Sequence, residues 1–382
     1  MSDVLLDRSH HELRSRTRHL RDREIVPFLA QRGWDRPLSA DELKAVLRMT
    51  VPVGYPGAVV PKDDGGDGLD YLSLGVLVEE LAPALGFLGA HVVPRQIAML
   101  GTPAQKRRYL PGLLDVTQLS TTAITEPGVG SDAGAIATTA RRAGDRYVVD
   151  GTKAWLTIGD IAEVATILVS TDPARGSRGL SRIIVELDHA RIASTTYTTL
   201  GDRLLSFAEI TFRDYEVPIE NRLGEEGEGF RMTLRAIQAS RASMASHAVG
   251  IAQAAVDAAI AYAKERKQFG RPLGSFQLIQ GMVADMIAET EAARLLANRV
   301  WALLDRGAEC AREASIAKFY ATEAAVRVTS KAIQVHGAYG VTDRHPVERL
   351  FRDARMLTFP DGTSEVHRLL VGRAALGIDA FR

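Results

Sequence analysis

Apolar residues recur with a helical period near both ends of the chain and with a strand-like period in the middle. Residues 74–82 have apolar side chains at helical spacing, and we expect Pro83 to end that helix. A glycine-rich turn at residues 63–68 precedes it. In the last third, apolar residues three or four positions apart between Ala248 and Tyr262 predict a helix with one buried face.

The middle of the chain has the pattern of a β-domain. Residues 165–170 and 182–187 are short apolar runs rich in β-branched side chains, and residues 205–217 place aromatic and aliphatic side chains between polar ones. Another run, residues 146–149, is expected to lead into a turn at Asp150-Gly151. Turn-forming residues separate these runs at short intervals, which predicts a small barrel or sandwich.

Two further segments, residues 286–304 and 311–335, are long enough for helices of several turns and are rich in alanine and leucine, as in a helical bundle. The predicted fold is therefore α+β. An N-terminal helical domain spans residues 1–117, a β-domain spans 118–222, and a C-terminal four-helix bundle spans 223–382.

Composition narrows the classes of partner. The 382 residues carry no formal net charge, so no basic field is available to attract nucleic acid or an anionic membrane. Residues 1–20 lack the apolar stretch of a signal peptide, and we expect no membrane span and a cytoplasmic location. The single cysteine, Cys310, excludes an intrachain disulfide and is interpreted as a small buried hydrophobic residue.

Several common cofactor motifs are absent from the sequence. There is no G-x-G-x-x-G after a strand, no Walker loop, no G-x-S-x-G elbow and no close cluster of metal ligands. We therefore predict no metal site, and any organic cofactor must be held by other means.

The first of four candidate segments spans residues 123–132. Gly128 and Gly130 allow the backbone to approach a ligand closely, and Thr125 and Ser131 add hydroxyl groups. The alternative is a surface turn before a strand.

In the second segment, residues 151–157, Trp155 and a nearby hydroxyl could lie beside a flat aromatic ring. The alternative is a tryptophan in the core.

The third segment, residues 265–277, joins a helix end to a new helix start. Its Arg266 carries a planar, charged guanidinium that suits a pyrophosphate. The alternative is a cationic cap on the dipole of the preceding helix.

The fourth segment, residues 334–368, places Asp361 between Pro360 and Gly362. A carboxylate presented from such a loop and partly removed from water becomes a better base. The alternative is an Asx-turn that starts the next helix.

These four segments, in this order and together with residues 61–70 and 223–230, resemble the acyl-CoA dehydrogenase superfamily over nearly the whole chain. The resemblance implies FAD held between the β-domain and the bundle, with help from a neighbouring subunit of a homodimer or homotetramer. It also implies an acyl thioester substrate, on CoA or acyl carrier protein, and an electron-transfer flavoprotein or similar acceptor.

By motif matching, the base is Asp361, and Arg241, Ser131 and Gly362 lie near the substrate. The common pattern has Glu in a Tyr-Glu-Gly-Thr run, whereas this chain has Asp after Pro360. Some relatives carry their Glu at the position of Ser240, which cannot act as a base. The residues implied to bind FAD are Thr122, Ile124, Thr125, Gly130, Ser131, Trp155, Thr157, Arg266, Gln268, Phe269, Gln277, Gln334, Gly337, Thr363 and Glu365.

The shorter base suggests an unusual acyl group, and the carrier stays open between CoA and acyl carrier protein. The chain also resembles acyl-carrier-protein dehydrogenases of polyketide extender-unit pathways of the methoxymalonyl type. Two other functions remain as alternatives: a flavin oxidase or monooxygenase on the same fold, and a non-catalytic module that binds a carrier protein.

Overall fold

The computed structural model describes residues 5–380, and its first part is helical. A π-helical turn, Arg21–Ile25, joins the first two helices, which therefore form one continuous rod. The six helices are α1 Arg8–Leu20, α2 Val26–Arg32, α3 Ala40–Thr50, α4 Tyr71–Leu85, α5 Val92–Leu100 and α6 Pro103–Leu114.

The middle part is one hydrogen-bonded sheet of eight strands. The strands are β1 Ser120–Ala123, β2 Thr139–Ala143, β3 Arg146–Thr157, β4 Val164–Ser170, β5 Leu180–Glu186, β6 Ala193–Thr196, β7 Phe207–Pro218 and β8 Arg222–Leu223. Their order across the sheet is β6-β7-β3-β2-β4-β5-β8, and β1 lies parallel to β4. A single residue pair, Thr139 with Ser170, connects β2 to β4. This narrow connection divides the sheet into two halves.

The predicted turn at Asp150-Gly151 is wrong. Both residues lie inside β3, where the pairing with β7 shifts register between Val149 and Gly151. Gly151 has a φ of 139°, so the glycine serves a bulge within a long strand and not a chain reversal.

The last part is helical, as predicted, although its described residues form five helices and not four. Its helices are α7 Gly229–Glu265, α8 Gln277–Asp305, α9 Ala311–His336, α10 Val347–Met356 and α11 Ser364–Leu376, with a short hairpin, β9 Lys267–Gln268 and β10 Arg271–Pro272, between α7 and α8. The helix–β–helix plan from the sequence is thus confirmed. By length and composition α7 could cross a bilayer, but 67% of its most apolar stretch is buried inside the fold, which is the placement of a core helix.

The short 3₁₀ turns lie at Val51–Val53, Lys62–Asp64, Pro173–Gly179, Ile219–Asn221, Leu273–Ser275 and Gly337–Val341. Cys310 is fully buried beside the start of α9, as the sequence indicated.

The prediction that Pro83 ends its helix is also wrong, because α4 continues to Leu85. Near a helix end a proline removes only one backbone hydrogen bond, and tertiary packing outweighs that loss. The packing is close: a methyl group at Gly250 of α7 would clash with the carbonyl oxygen of Glu79, and one at Gly75 would clash with Trp301 of α8. Both glycines therefore allow α4 to lie directly against the bundle.

A buried arginine joins the sheet to the helices on either side. Arg182 of β5 donates to Thr122 of β1 at 3.1 Å, to Gln96 of α5 at 3.2 Å and to Thr233 of α7 at 2.8 Å. Burial lowers the pKa of Arg182 to about 10. This network sets the position of α5 and α7 relative to the sheet, and the candidate site lies along α7.

Candidate active site

Asp361 lies on a short loop between α10 and α11. Its φ is 56°, a left-handed conformation that aspartate tolerates better than most residues. The hydroxyl of Thr363, at 3.4 Å from the backbone nitrogen of Val366, caps α11, so the alternative of Asp361 as a helix-starting Asx-turn is wrong. Within residues 5–380 the Asp361 carboxylate accepts no hydrogen bond, which leaves it free to take a proton.

Two buried cations from other helices hold this loop. Lys318 of α9 has no exposed surface and donates from Nζ to the carbonyl oxygens of Thr358, at 2.9 Å, and Gly362, at 2.7 Å. Arg241 of α7 donates from Nε to the carbonyl oxygen of Asp361 at 3.1 Å. All three bonds reach backbone atoms, so they orient the loop and leave the carboxylate of Asp361 itself unpaired.

Burial and the neighbouring charges shift the pKa of the Asp361 carboxyl in the direction that favours a base. Burial raises the pKa of the Asp361 carboxyl above its ordinary value, and the charges of Arg241, Lys318 and Arg95 oppose that rise. Burial also lowers the pKa of Lys318 to about 8. A raised pKa makes the ionised carboxylate of Asp361 a stronger proton acceptor.

An exposed aromatic face lies on the β-domain. Trp155 is 53% exposed, which contradicts the alternative of a core tryptophan, and its ring stacks on Tyr197 at 4.6 Å. The pairing of β3 with β7 shifts register between Lys153 and Leu156, and this bulge turns Trp155 outward while Lys153 and Ala154 stay buried. Thr157 ends the same strand.

The segment that follows β1 lies against this tryptophan. The backbone nitrogen of Ala154 donates to the carbonyl oxygen of Thr125 at 2.9 Å. Ile124 and Thr125 are half-buried, while Gly130 and Ser131 are exposed. A methyl group on Gly130 would meet nothing within 4 Å, so open space remains above the turn. The structure thus places Thr125 beside the strand that contains Trp155 and Thr157, and it leaves the turn at Gly130 and Ser131 exposed.

An ion pair that the sequence did not reveal anchors this segment. Lys153, with no exposed surface, lies 2.8 Å from Glu126 and also donates to the carbonyl oxygen of Ile124 at 3.1 Å. Glu126 accepts from the backbone nitrogens of Ala137 at 2.8 Å and Thr138 at 2.9 Å. Lys153 has the same parity along β3 as the buried Tyr147 and Val149, so strand alternation places it on the buried face, where Glu126 pairs with it.

A second group of predicted cofactor residues lies at the opposite end of the bundle. Twenty-five residues of α7 separate Arg241 from Arg266, a rise of about 37 Å. Phe269 is 93% exposed there, and the Arg266 guanidinium lies 5.8 Å from the centre of the Tyr339 ring. This exposed group comprises Arg266, Gln268, Phe269, Gln277, Gln334 and Gly337. Arg266, with the hairpin that follows it, therefore lies far along α7 from the Asp361 loop that Arg241 contacts.

Three further residues predicted to bind FAD differ in how much of their side chain is free to contact a ligand. The Thr122 hydroxyl takes part in the buried Arg182 network, so that hydroxyl is already engaged within the fold. Thr363 uses its hydroxyl to cap α11, and Glu365 is exposed in the first turn of that helix. Ser240, adjacent to Arg241, is half-buried on α7 and supplies no carboxylate.

Buried histidines lie between α5 and α7. His247 of α7 is 2% exposed, and its Nδ1 lies 2.8 Å from the carbonyl oxygen of Ser243. Burial lowers the pKa of His247 to about 4. Burial, together with the charges of Arg95 and His247, lowers the pKa of His91 well below its ordinary value. Both imidazoles are therefore neutral at physiological pH.

We expect the unfolding free energy to fall as the pH drops from 6.5 towards 4. The unfolded chain gains a proton on His247 below pH 6.5, whereas the folded chain does not until about pH 4. Each such histidine contributes a slope of about 1.4 kcal/mol per pH unit. Urea unfolding at several pH values measures the slope, which His247→Gln should reduce. The exposed His11→Gln is the control, and equal slopes in both variants would contradict the assignment.

Comparison with known proteins agrees with this architecture. The model of the acyl-CoA dehydrogenase N-terminal domain matches residues 7–117, that of the middle domain matches 121–215, and that of the C-terminal domain matches 227–376. The chain is 37% identical over 333 residues to subunit CarC of the caffeyl-CoA reductase–Etf complex of Acetobacterium woodii, covering 85% of this chain and 88% of the relative. It is 36% identical over 375 residues to the mitochondrial short-chain specific acyl-CoA dehydrogenase of Mus musculus, covering 96% and 90%.

Two solved structures are also similar to this chain over nearly their whole length. Butyryl-CoA dehydrogenase from Megasphaera elsdenii superposes with a TM-score of 0.91 at 31% identity, covering 97% of this chain and 99% of that one. The prolyl acyl carrier protein oxidase superposes with a TM-score of 0.89 at 27% identity, covering 97% and 100%. The similarity thus extends over all three parts of the fold.

Proposed function

Because the chain belongs to the acyl-CoA dehydrogenase family, we propose that it is an FAD-dependent enzyme that removes an α-proton and a β-hydride from an acyl thioester. One observation carries the proposal. The unpaired carboxylate of Asp361 lies on a loop that Lys318 and Arg241 hold through its backbone. A base held in this way can reach a substrate proton without first breaking a bond of its own.

The exposed face of Trp155, with the open turn at Gly130 and the hydroxyls of Thr125 and Thr157, fits a flat aromatic ring system such as the isoalloxazine. FAD, when bound, supplies a hydride acceptor for the substrate β-carbon. Trp155 would lie against the ring, and Thr125 and Thr157 would bond its edge. Ser131 would bind on the substrate side of the same turn.

The residues of the loop perform the proton transfer. Asp361 takes the α-proton onto its carboxylate, for which a general base contributes a factor of roughly 10²–10⁴. The thioester carbonyl must be polarised as the proton leaves, and the backbone N–H of Gly362 is the donor beside the base. A preorganised donor of this kind contributes ~3–4 kcal/mol. Lys318 fixes the orientation of Gly362 through its carbonyl oxygen, and Arg241 holds the substrate side of the loop.

The exposed group around Arg266 and Phe269 supports an oligomer. It is too far from Asp361 to serve the same active site, so we assign it to the FAD of an adjacent subunit in a homodimer or homotetramer. Arg266 would bind the pyrophosphate, and Thr363 and Glu365 would lie near the adenosine half. Electrons would pass to an electron-transfer flavoprotein or a similar acceptor in the cytoplasm, and the relative from Acetobacterium woodii belongs to a complex with such a protein.

The carrier of the acyl group is CoA or an acyl carrier protein. Both present the same phosphopantetheine arm, and the structural relatives include an enzyme named for each. A carrier-protein substrate would place the enzyme in a pathway such as polyketide extender-unit synthesis.

The test is an anaerobic flavin spectrum of the purified protein, titrated with short acyl-CoAs and then with the same acyl groups on a carrier protein. Bleaching by either set supports the dehydrogenase and identifies its carrier. Rapid reoxidation by oxygen with release of hydrogen peroxide would instead indicate an oxidase, the activity named for one structural relative. A protein that takes up no FAD would contradict the proposal and favour a binding module.

A further inference from the structure

Two buried carboxyls lie where the three parts of the fold meet. Asp202, in the loop before β7, is 4% exposed, and Asp353, on α10, is 5% exposed. The backbone nitrogen of Asp202 donates to Oδ1 of Asp353 at 2.7 Å. On the side of the N-terminal helices, the backbone nitrogen of Phe87 donates to Oδ1 of Asp202 at 3.3 Å. The proton transfer described above uses neither carboxyl.

The hydrogen bonds of the two carboxyls are unequal. Both oxygens of Asp353 are engaged, since Oδ1 accepts from Asp202 and Oδ2 accepts from the guanidinium of Arg349 at 3.2 Å. Within residues 5–380, Oδ2 of Asp202 has no hydrogen-bond partner. A buried carboxylate oxygen without a donor is costly, whereas a protonated oxygen can itself donate. The geometry therefore favours Asp353 as the ionised member of the pair and Asp202 as the protonated one.

The neighbouring cations do not balance two carboxylates. Arg203 and Arg352 lie beside the pair, but each is 3.3 Å from the carboxylate of Asp35. Arg352 is also 2.8 Å from the carboxylate of Glu348. Among the described residues this leaves Arg349 as the principal counter-ion, and one guanidinium neutralises one carboxylate.

Burial and mutual repulsion act on the pair in the same direction. A cavity of about 10 Å³ adjoins both carboxyls, which is room for about one water molecule, so solvent screens their charges little. Burial, together with the charge of Asp353, raises the pKa of Asp202 well above its ordinary value. Burial raises the pKa of Asp353 as well, with the charge of Arg349 opposing the rise. Two neighbouring carboxyls in such a place ionise together only at high cost.

The pair lies between the two halves of the candidate active site. The loop before β7 leads directly into that strand, where the ring of Phe207 lies 6.4 Å from that of Trp155. The same loop packs on the backbone of α10, since a methyl group on Gly201 would lie 2.4 Å from the carbonyl oxygen of Arg352. Helix α10 in turn ends shortly before the loop of Asp361. Contact between this loop and α10 therefore sets the position of the base relative to the aromatic face.

We propose that Asp202 and Asp353 share one proton at neutral pH, and that this carboxyl pair positions the Asp361 loop against the face of Trp155. Both are positioning residues, because they act through α10 and the strand β7. Loss of the proton would place two like charges side by side and separate α10 from the β-domain. The effect on the rate rests on the proposed function, whereas the shared proton does not depend on it.

Infrared absorption of the purified protein at pH 7 tests for the proton directly. We expect a C=O stretching band of a protonated carboxyl group that disappears in Asp202→Asn. The band should remain in Asp361→Asn, which removes the proposed base, and in the exposed control Asp343→Asn. Asparagine keeps the contact, because its amide oxygen accepts from Phe87 and its amide nitrogen donates as the protonated acid would. A spectrum that Asp202→Asn leaves unchanged would overturn the shared proton.

Stopped-flow reduction of the flavin by a thioester substrate tests the positioning. Asp202→Ala removes the contact and should slow the limiting rate at saturating substrate at least ~10-fold, because a displacement of about 1 Å can cost roughly 10²-fold. Asp202→Asn should recover most of that loss. The wild-type rate should also fall as the pH rises through the pKa of the pair, and Asp202→Asn should lack that fall.

The outcomes separate this inference from the proposed function. A wild-type limiting rate in Asp202→Ala, or the same alkaline fall in Asp202→Asn as in the wild type, would overturn the positioning role while the dehydrogenase remained. Failure of every thioester to reduce the flavin would instead overturn the proposed function, and the infrared result would still decide whether the carboxyls share a proton.

Discussion

Replacing Asp361 by asparagine is expected to slow flavin reduction by substrate by a factor of roughly 10²–10⁴, the contribution of a general base. Asparagine has nearly the same shape and tolerates the left-handed backbone, with its φ of 56°, that this position requires. The loop, held by Lys318 and Arg241 through backbone atoms, should keep its position. Stopped-flow absorbance under anaerobic conditions measures the single reductive step.

The flavin content of this variant should equal that of the wild type, because the Trp155 surface is unchanged. The exposed Asp343→Asn is the matched control and should reduce normally. The wild-type rate should rise with pH through an apparent pKa higher than that of an ordinary aspartate, because burial raises the pKa of Asp361 and only its ionised form accepts the proton. Normal reduction by Asp361→Asn would show that another group is the base.

Replacing Glu126 by alanine is expected to reduce the unfolding free energy by about 3–5 kcal/mol, because it leaves Lys153 charged and buried without its partner. The substitution should also weaken the binding of FAD. Glu126 holds the backbone of Ala137 and Thr138 as well as Lys153, and these contacts position the turn that contains Thr125 and Gly130. We therefore expect weaker FAD binding, measured by flavin retention on dilution, together with a lower urea midpoint.

A double variant separates the two effects. Lys153→Met alone should also destabilise the protein, because Glu126 loses its charged partner. The combination Glu126→Gln with Lys153→Met removes both buried charges, so much of the stability should return. If Glu126→Ala unfolds at the wild-type urea concentration, the ion pair does not anchor the turn.

The sequence predicted the main elements well where one periodicity ran over many residues. The bundle segments 286–304 and 311–335 lie inside α8 and α9, and the face from Ala248 to Ala255 is buried on α7. The prediction from sequence was wrong at Pro83, where the helix continues, and at Asp150-Gly151, where a strand continues. In both places packing or strand pairing across the fold supplied more free energy than the local preference cost.

Some residues of the candidate site could be predicted from the sequence, and others became apparent only in the structure. Asp361, Arg241 and Trp155 were predicted from motifs and resemblance, and the structure places Arg241 against the Asp361 loop and exposes the face of Trp155. Lys318 and Lys153 were not singled out as supports, because each is an ordinary lysine in its own segment. Nothing in the local pattern marks Arg95 either, since its charge matters only beside a loop 266 residues later.

By itself, then, the sequence determined the order of the three parts and pointed to the segments that carry the candidate site, including the proposed base Asp361, because periodicity and short motifs are local properties. Only the tertiary structure decided which cations surround Asp361, how Trp155 is turned outward, and that Arg266 and Phe269 lie about 37 Å along α7 from Arg241. These are relations between residues far apart in the chain. They depend on how the helices and the sheet pack, which no single segment specifies.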